Sequence, residues 1–399
     1  MREYEKPILD ENGNPLKIGI LAGHHCIRCV RIGESLKKVG YTVYGNGKKE
    51  SYGNKIYNSY FLWKDERQFK ESVRIMINEG VRIIEWNNEP DMPAVWVRQV
   101  INSMKATDKV KLVSNLHDLD SVRKGYITLD ERHMFNASDA LIYVSETIKK
   151  IINVLHTVRV PNIVLYNYPT QSMLDSIEVD WSQVQNRKGM VYEGGVNPIG
   201  DSPEIKEMNI VFKYRNLFPI FKKLISQGNE VHVYAGNSDA FISGQTTGCM
   251  LHPPTKFDKL LKEMAQYKYN LVIFNNKDKQ QQQVNLTTAN KQWDGLCAFL
   301  PSIACYCDTI EQYTRRHKIG WAFDDISSIK DCSHLESEYM TIMENIRQKR
   351  KELIFDRQIW RSENLYAGLL GLEKKGVPDD IKTQAIFEYG EKDTNLLLK

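Results

Sequence analysis

Along most of this chain, short apolar runs alternate with stretches of helical period, and the alternation stops once and then restarts. Residues 17–23 read as a buried strand ending in a tight turn. Residues 28–39 follow with helical spacing (Val30, Ile32, Leu36, Val39) and Gly40 ends them. Strands are expected at 41–44, 81–85, 110–114 and 140–144, with helices at 66–78 and 94–104 between them. A strand–helix succession of this kind builds a parallel sheet covered by helices on both faces.

After Tyr166-Asn-Tyr-Pro169 the pattern breaks, and residues 171–188 are polar and without a strong period. It resumes with strands expected at 189–192, 230–234, 270–274 and 302–305, and helices at 217–227, 257–266 and 291–299. The 399 residues suit two or three domains of about 100–200 residues. The reading is two tandem doubly wound α/β domains facing a cleft. The first is expected at 1–170, a linker at 171–188, and the second at 189–355. Helices and a tail at 356–399 are expected to pack back on the first domain. Residues 391–399 read as a ragged tail, and 280–283 as a solvated polar loop.

Composition excludes several classes. Apolar residues make up 42% and charged residues 26%, ordinary globular values that rule out a disordered or fibrous chain. A net charge of +4 is mildly basic and lacks the strong excess usual in a dedicated nucleic-acid binder; phosphate-bearing partners stay open, but charge alone does not call for them. No apolar run approaches the length of a membrane-spanning helix, and residues 1–10 are charged, unlike a signal peptide. The seven cysteines, an odd number in a long chain, read as free thiols in a reducing, cytoplasmic setting. Cys26-Ile-Arg-Cys29, preceded by His24 and His25, has redox or zinc spacing. One such pair is half of a structural zinc site, so small side chains packed at a helix start are the expectation.

Three stretches carry chemistry. Glu85-Trp-Asn-Asn-Glu-Pro-Asp-Met-Pro93 and Ser114-Asn-Leu-His-Asp-Leu-Asp-Ser121 both follow strands, at the carboxyl edge where a parallel sheet presents ligand groups. His117 and Asp118 are adjacent polar groups at that edge. In Thr288-Ala-Asn-Lys-Gln-Trp-Asp294 a loop feeds a helix N-terminus, whose unpaired amides favour phosphate oxygens. Lys291 adds positive charge there, and Asp294, one turn on, could accept the two hydroxyls of a ribose. Neither a Gly-x-Gly-x-x-Gly dinucleotide fingerprint nor a Walker phosphate loop occurs.

Taken in order, these motifs resemble glycosyltransferases of the GT-B architecture, close to glycosyltransferase family 4. The resemblance covers roughly residues 17–325. It is carried by Asn87-Asn88-Glu89-Pro90-Asp91, by Leu116-His117-Asp118-Leu119 and by Tyr192-Glu-Gly194-Gly195. The stretches Leu251-His-Pro-Pro, Tyr267 to Ile273, and Ala289-Asn290-Lys291-Gln-Trp-Asp294 with Pro301 complete it. It implies Rossmann-like domains and transfer of a sugar from a UDP- or GDP-sugar co-substrate to a glycan or a lipid-linked or surface polysaccharide. Anomeric configuration would be retained, with no metal and no other cofactor, and with peripheral membrane contact during polysaccharide biosynthesis. His117 would contact the donor sugar, with Asp118 beside it as the catalytic pair. Gly23 would lie near donor phosphate or acceptor. Gly194 and Gly195 would admit the diphosphate, with Arg215 and Lys291 on its charge, Asn290 at the phosphate helix and Asp294 on the ribose. Loops after Gly23 and at 51–63 are the acceptor candidates.

The chain departs from the family pattern at four places, one of them a longer stretch than usual between Gly195 and Arg215. Asn87 stands where the family has His, Asp294 stands for the second Glu of the paired-glutamate motif, and the first Glu falls at Leu286. Two alternatives therefore stay open: an enzyme of this fold that glycosylates modified bases in viral DNA, and a non-catalytic module that binds nucleotide sugars.

Overall fold

The computed structural model describes residues 5–24, 26–50 and 53–399. They form two compact units: residues up to Thr170 together with Ile354–Lys399, and Gln171–Leu353.

The first unit holds a seven-stranded sheet: β1 (Lys17–Ala22), β2 (Thr42–Gly47), β3 (Ser59–Leu62), β4 (Val81–Asn87), β5 (Lys111–Leu116), β6 (Ala140–Tyr143) and β7 (Asn162–Val164). Their order is β3-β2-β1-β4-β5-β6-β7, with every neighbouring pair parallel. Ile18, Ile20, Ile83, Ile84, Leu112 and Val113 are fully buried, as strands covered on both faces require. Some of the flanking helices start on side-chain caps. Asp65 accepts the Gln68 amide at 2.9 Å to open Glu66–Asn78, and Ser145 accepts that of Ile148 at 3.1 Å to open Glu146–Leu155. Helix Ile27–Val39 ends on Gly40, whose φ of 113° turns the chain away.

The expected tail at 391–399 is instead a helix, Glu391–Leu398. Leu397 is buried and Asp393 pairs with Lys149, so long-range packing overrides a polar sequence. Ahead of it, helix Trp360–Leu370 sends Tyr366 to the Glu85 carboxylate. Strand β3 lies within the expected 51–63 loop, of which Ser51 and Tyr52 are outside the described residues.

The second unit repeats the plan in six strands: β8 (Lys188–Gly194), β9 (Val231–Ala235), β10 (Met250–His252), β11 (Tyr267–Ile273), β12 (Ser302–Cys305) and β13 (Gly320–Phe323). Their order is β10-β9-β8-β11-β12-β13, again all parallel. Residues 171–188 belong to this unit, with helix Gln171–Asp175, a 3-10 segment Trp181–Asn186, and Val184 fully buried. The polar loop expected at 280–283 runs into a short helix, Gln282–Leu286, in which Gln283 is buried.

In both sheets the strand order reverses once, between β1 and β4 and between β8 and β11. Ligands of open α/β sheets bind outside the carboxyl ends of strands at such switch points. Gly23 follows β1, and Gly194 ends β8. Among the described residues, no helix is long and apolar enough to cross a membrane.

Candidate functional sites at the two sheet edges

In the second unit, β8 leads into Gly194 and Gly195. Gly194 holds φ at 123°, a conformation that side chains other than hydrogen rarely allow. A methyl group there would reach ordinary contact with Lys291, 3.6 Å from Nζ, and one on Gly195 would crowd the Arg215 guanidinium at 3.3 Å. Two cations therefore close on two adjacent glycines. The Tyr192 hydroxyl donates to the Gly195 carbonyl at 3.1 Å, and the Gly236 amide donates to that of Gly194 at 3.0 Å, which fixes the turn.

Lys291 is held in place by aromatic faces. Its Nζ stands 4.8 Å from the Tyr192 ring centre and 4.5 Å from that of Phe274, and the residue is 8% exposed. Burial pushes the Tyr192 phenol up, and the Lys291 charge pulls it back. Arg215 closes the 3-10 turn Lys213–Arg215, exposed, with its guanidinium over the rings of Phe212 (5.1 Å) and Tyr214 (5.4 Å). Lys291 sits in the first turn of helix Asn290–Cys297, which carries no acid in that turn to cancel the positive end of its dipole. Asn290 is exposed at the helix start. Asp294, one turn further on, is 2% exposed. Leu286 is buried in the preceding short helix.

The helix is pinned to the sheet through Asn270 of β11, whose Nδ2 donates to the Lys291 carbonyl at 2.8 Å. Gly295 faces the same amide, and a Cβ there would collide with it. Gly295→Ala is therefore expected to cost about 1–3 kcal/mol of stability, the range for overpacking. A urea titration checks this, and an unchanged midpoint would show that Asn270 has room to move.

In the first unit, Gly23 sits where a Cβ would lie 2.5 Å from the Glu89 carbonyl oxygen, so only glycine lets the two loops meet. Glu89 itself holds φ at 109°, a strained conformation for a non-glycine residue. Its ion pair with Arg123, at 2.5 Å, helps to hold it. Next to it, Asn88 is the organiser. It is 1% exposed, and its Oδ1 accepts the amides of His117 (2.9 Å) and Asp118 (3.5 Å). Its Nδ2 donates to the Asp118 carbonyl and to Asp91 at 3.4 Å. His117 and Asp118 are thus presented half-exposed on a turn fixed through its backbone. Burial pushes the Asp91 carboxyl up to about 6. Beneath the edge, Arg28 donates to Asn115 at 2.8 Å, and Asn115 donates to Glu85 at 2.8 Å. The Glu85 carboxyl is fully buried and raised by desolvation.

The structure thus gathers Gly194, Gly195, Arg215 and Lys291 in one place, and His117, Asp118 and Gly23 around the Asn88 loop in another. Sequence reasoning gave no role to Asn88, although it lies in one of the motifs, nor to Phe274 or Arg28. A polar residue directly after a buried strand was the signal for Asn88. The ring beneath Lys291 had none, because Phe274 reads as the end of a strand.

No family model matches the chain, and no curated protein matches it. Among solved structures it is similar to AviGT4, a glycosyltransferase involved in avilamycin A biosynthesis, at a TM-score of 0.53 and 10% identity. That match covers 90% of this chain and 98% of that one. It is similar also to a UDP-N-acetylglucosamine 2-epimerase at a TM-score of 0.52 and 9% identity, covering 91% and 98%. At such identities the likeness establishes the fold. The chain has the GT-B fold.

Proposed function

We propose that this protein is a glycosyltransferase that moves a sugar from a UDP- or GDP-sugar to a glycan or to a lipid-linked or surface polysaccharide, with retention of configuration. The observation that carries the reading is the glycine turn at the end of β8 with Lys291 and Arg215 closed onto it. A half-buried main-chain turn beside two cations and an acid-free helix start suits a diphosphate, with Asn290 at its edge and Asp294 assigned to the ribose. The likeness to a glycosyltransferase of known structure supports it.

Breaking the bond from sugar to diphosphate leaves negative charge on the leaving group. Lys291 and Arg215 would stabilise that charge as it develops, the work that a metal does in other transferases. His117 and Asp118, with the loop at Gly23, are assigned to the transfer step on the first unit. No protein nucleophile is assigned, so the acceptor would attack on the face the diphosphate leaves.

A second reading has a specific observation behind it. The epimerase likeness is nearly equal to that of the transferase, so the same diphosphate turn could serve epimerisation of a sugar nucleotide. One experiment separates them: incubation with UDP- and GDP-sugars and oligosaccharide acceptors, in the presence of EDTA. Release of nucleoside diphosphate together with a glycosylated acceptor supports transfer without metal. An epimerised sugar nucleotide without acceptor chemistry supports the second reading. Loss of transfer in EDTA, restored by manganese or magnesium, would overturn the metal-independent mechanism.

A further inference from the structure

Cys26 and Cys29 bracket the first turn of helix Ile27–Val39, and the sugar-transfer reading makes no use of them. Cys26 is the residue before the helix, with φ −94° and ψ 171°, and is half-buried, whereas Cys29 is fully buried. Their sulfurs stand 3.7 Å apart. A disulfide bond is about 2.0 Å long, so the sulfurs need to approach by about 1.7 Å, and Cys26 lies outside the rigid helical turn.

The surroundings treat the two sulfurs differently. The neighbouring Cys29 thiol acts most strongly on the Cys26 sulfur, through the contact at 3.7 Å, with smaller contributions from the His117 side chain and the backbone amides of Cys29 and Arg28. The Arg28 guanidinium also lies within electrostatic reach of both sulfurs. It is 2% exposed, and among the described residues neither of its Nη atoms has a hydrogen-bond partner. The Cys29 contact, with His117 and the backbone amides beside it, holds the Cys26 thiol well below its ordinary range. Burial pushes Cys29 up, with Glu85 adding to the effect, and Tyr57 donates to the Cys29 carbonyl at 3.1 Å. A half-buried, low-pKa thiol at a helix N-terminus beside a fully buried partner has the asymmetry of a reactive dithiol.

We propose that Cys26 and Cys29 form a redox-active pair, in which Cys26 attacks a low-molecular-weight disulfide and Cys29 resolves the product into an internal bridge. In the first step the Cys26 thiolate bonds to one sulfur of the external disulfide, whose S–S bond breaks, and one thiolate leaves with a proton. In the second, Cys29 gives up its proton and bonds to the Cys26 sulfur, and the second external thiol departs. Two protein thiols are oxidised and one disulfide is reduced to two thiols. The other cysteines are poor competitors: Cys249, Cys297, Cys305, Cys307 and Cys332 are all buried.

The test is incubation of the folded protein with excess oxidised glutathione near neutral pH, followed by alkylation and peptide mass spectrometry. The expected result is a Cys26–Cys29 bridge, reversed by dithiothreitol. Cys29→Ser should stop at a glutathione adduct on Cys26, and Cys26→Ser should form neither product. Retention of free thiols at both positions in the native chain, a glutathione adduct on native Cys26 that never resolves, or bridge-independent labelling as fast in Cys26→Ser would each overturn the proposal. None of these outcomes depends on whether the protein transfers sugar.

Discussion

Replacing Lys291 with Met is expected to weaken nucleoside diphosphate binding by about 10- to 100-fold while leaving the fold intact. A hydrogen bond to a charged group is worth about 1.5–3 kcal/mol, and each 1.4 kcal/mol is about tenfold in affinity. Methionine keeps most of the volume between the Tyr192 and Phe274 rings, which hold the ammonium by its contact with their faces. It removes the charge that faces the Gly194 turn. Calorimetric titration of both proteins with UDP and GDP checks this beside a melting scan. Equal affinity in a folded Lys291→Met protein would remove Lys291 from the diphosphate site.

The second large effect is expected at His117. His117→Ala should lower turnover by about 10²- to 10⁴-fold, the range for losing a positioned proton-transfer group. Affinity for bare nucleoside diphosphate should stay nearly unchanged, because the groups assigned to the diphosphate are in the other unit. The structure makes this variant informative. Asn88 holds the turn through the backbone amides of His117 and Asp118, so the alanine keeps those bonds. A residue that acts mainly on the transition state lowers kcat more than it lowers binding. Full activity in a stable variant would take His117 out of the mechanism. A parallel fall in stability and nucleotide affinity would show that it serves packing.

The fold was legible where the chain repeats its own logic. Buried apolar runs such as Ile18–Leu21 and Leu271–Ile273, each set between helical periods, give a parallel sheet by pattern alone, and the polar break near 171 marks where the second begins. The short edge strands were hidden. β3, β7 and β10 have four, three and three residues, and in β3 Leu62 is 54% exposed, so no alternation long enough to detect exists. The helix Pro203–Val211 did carry a signal in Ser202, which accepts the Ile205 amide at 3.3 Å, and in Pro203 at its first position. Its lack of any buried residue left no apolar stripe to find.

For the candidate sites, residue type and position at a strand's end sufficed for Gly194, Gly195, Lys291 and His117. The order of strands, which puts β8 beside β11 and so brings Lys291 under the Gly194 turn, depends on pairings between distant segments that local pattern does not encode. The same holds for Asn88, whose importance appears only once β4 and β5 lie side by side, and for the helix at 391–398, which is ordered by contacts such as Lys149 with Asp393.

The central claim is that the turn at Gly194 and Gly195 binds a diphosphate. Its most direct test is calorimetric titration of the native protein with UDP and GDP beside uridine and guanosine. At least one diphosphate should bind about tenfold or more tightly than its nucleoside, since each charge-assisted contact is worth more than 1.4 kcal/mol, and the advantage should shrink as salt is raised. Equal affinity for nucleoside and diphosphate, or no binding of either diphosphate at millimolar concentration, would contradict the account.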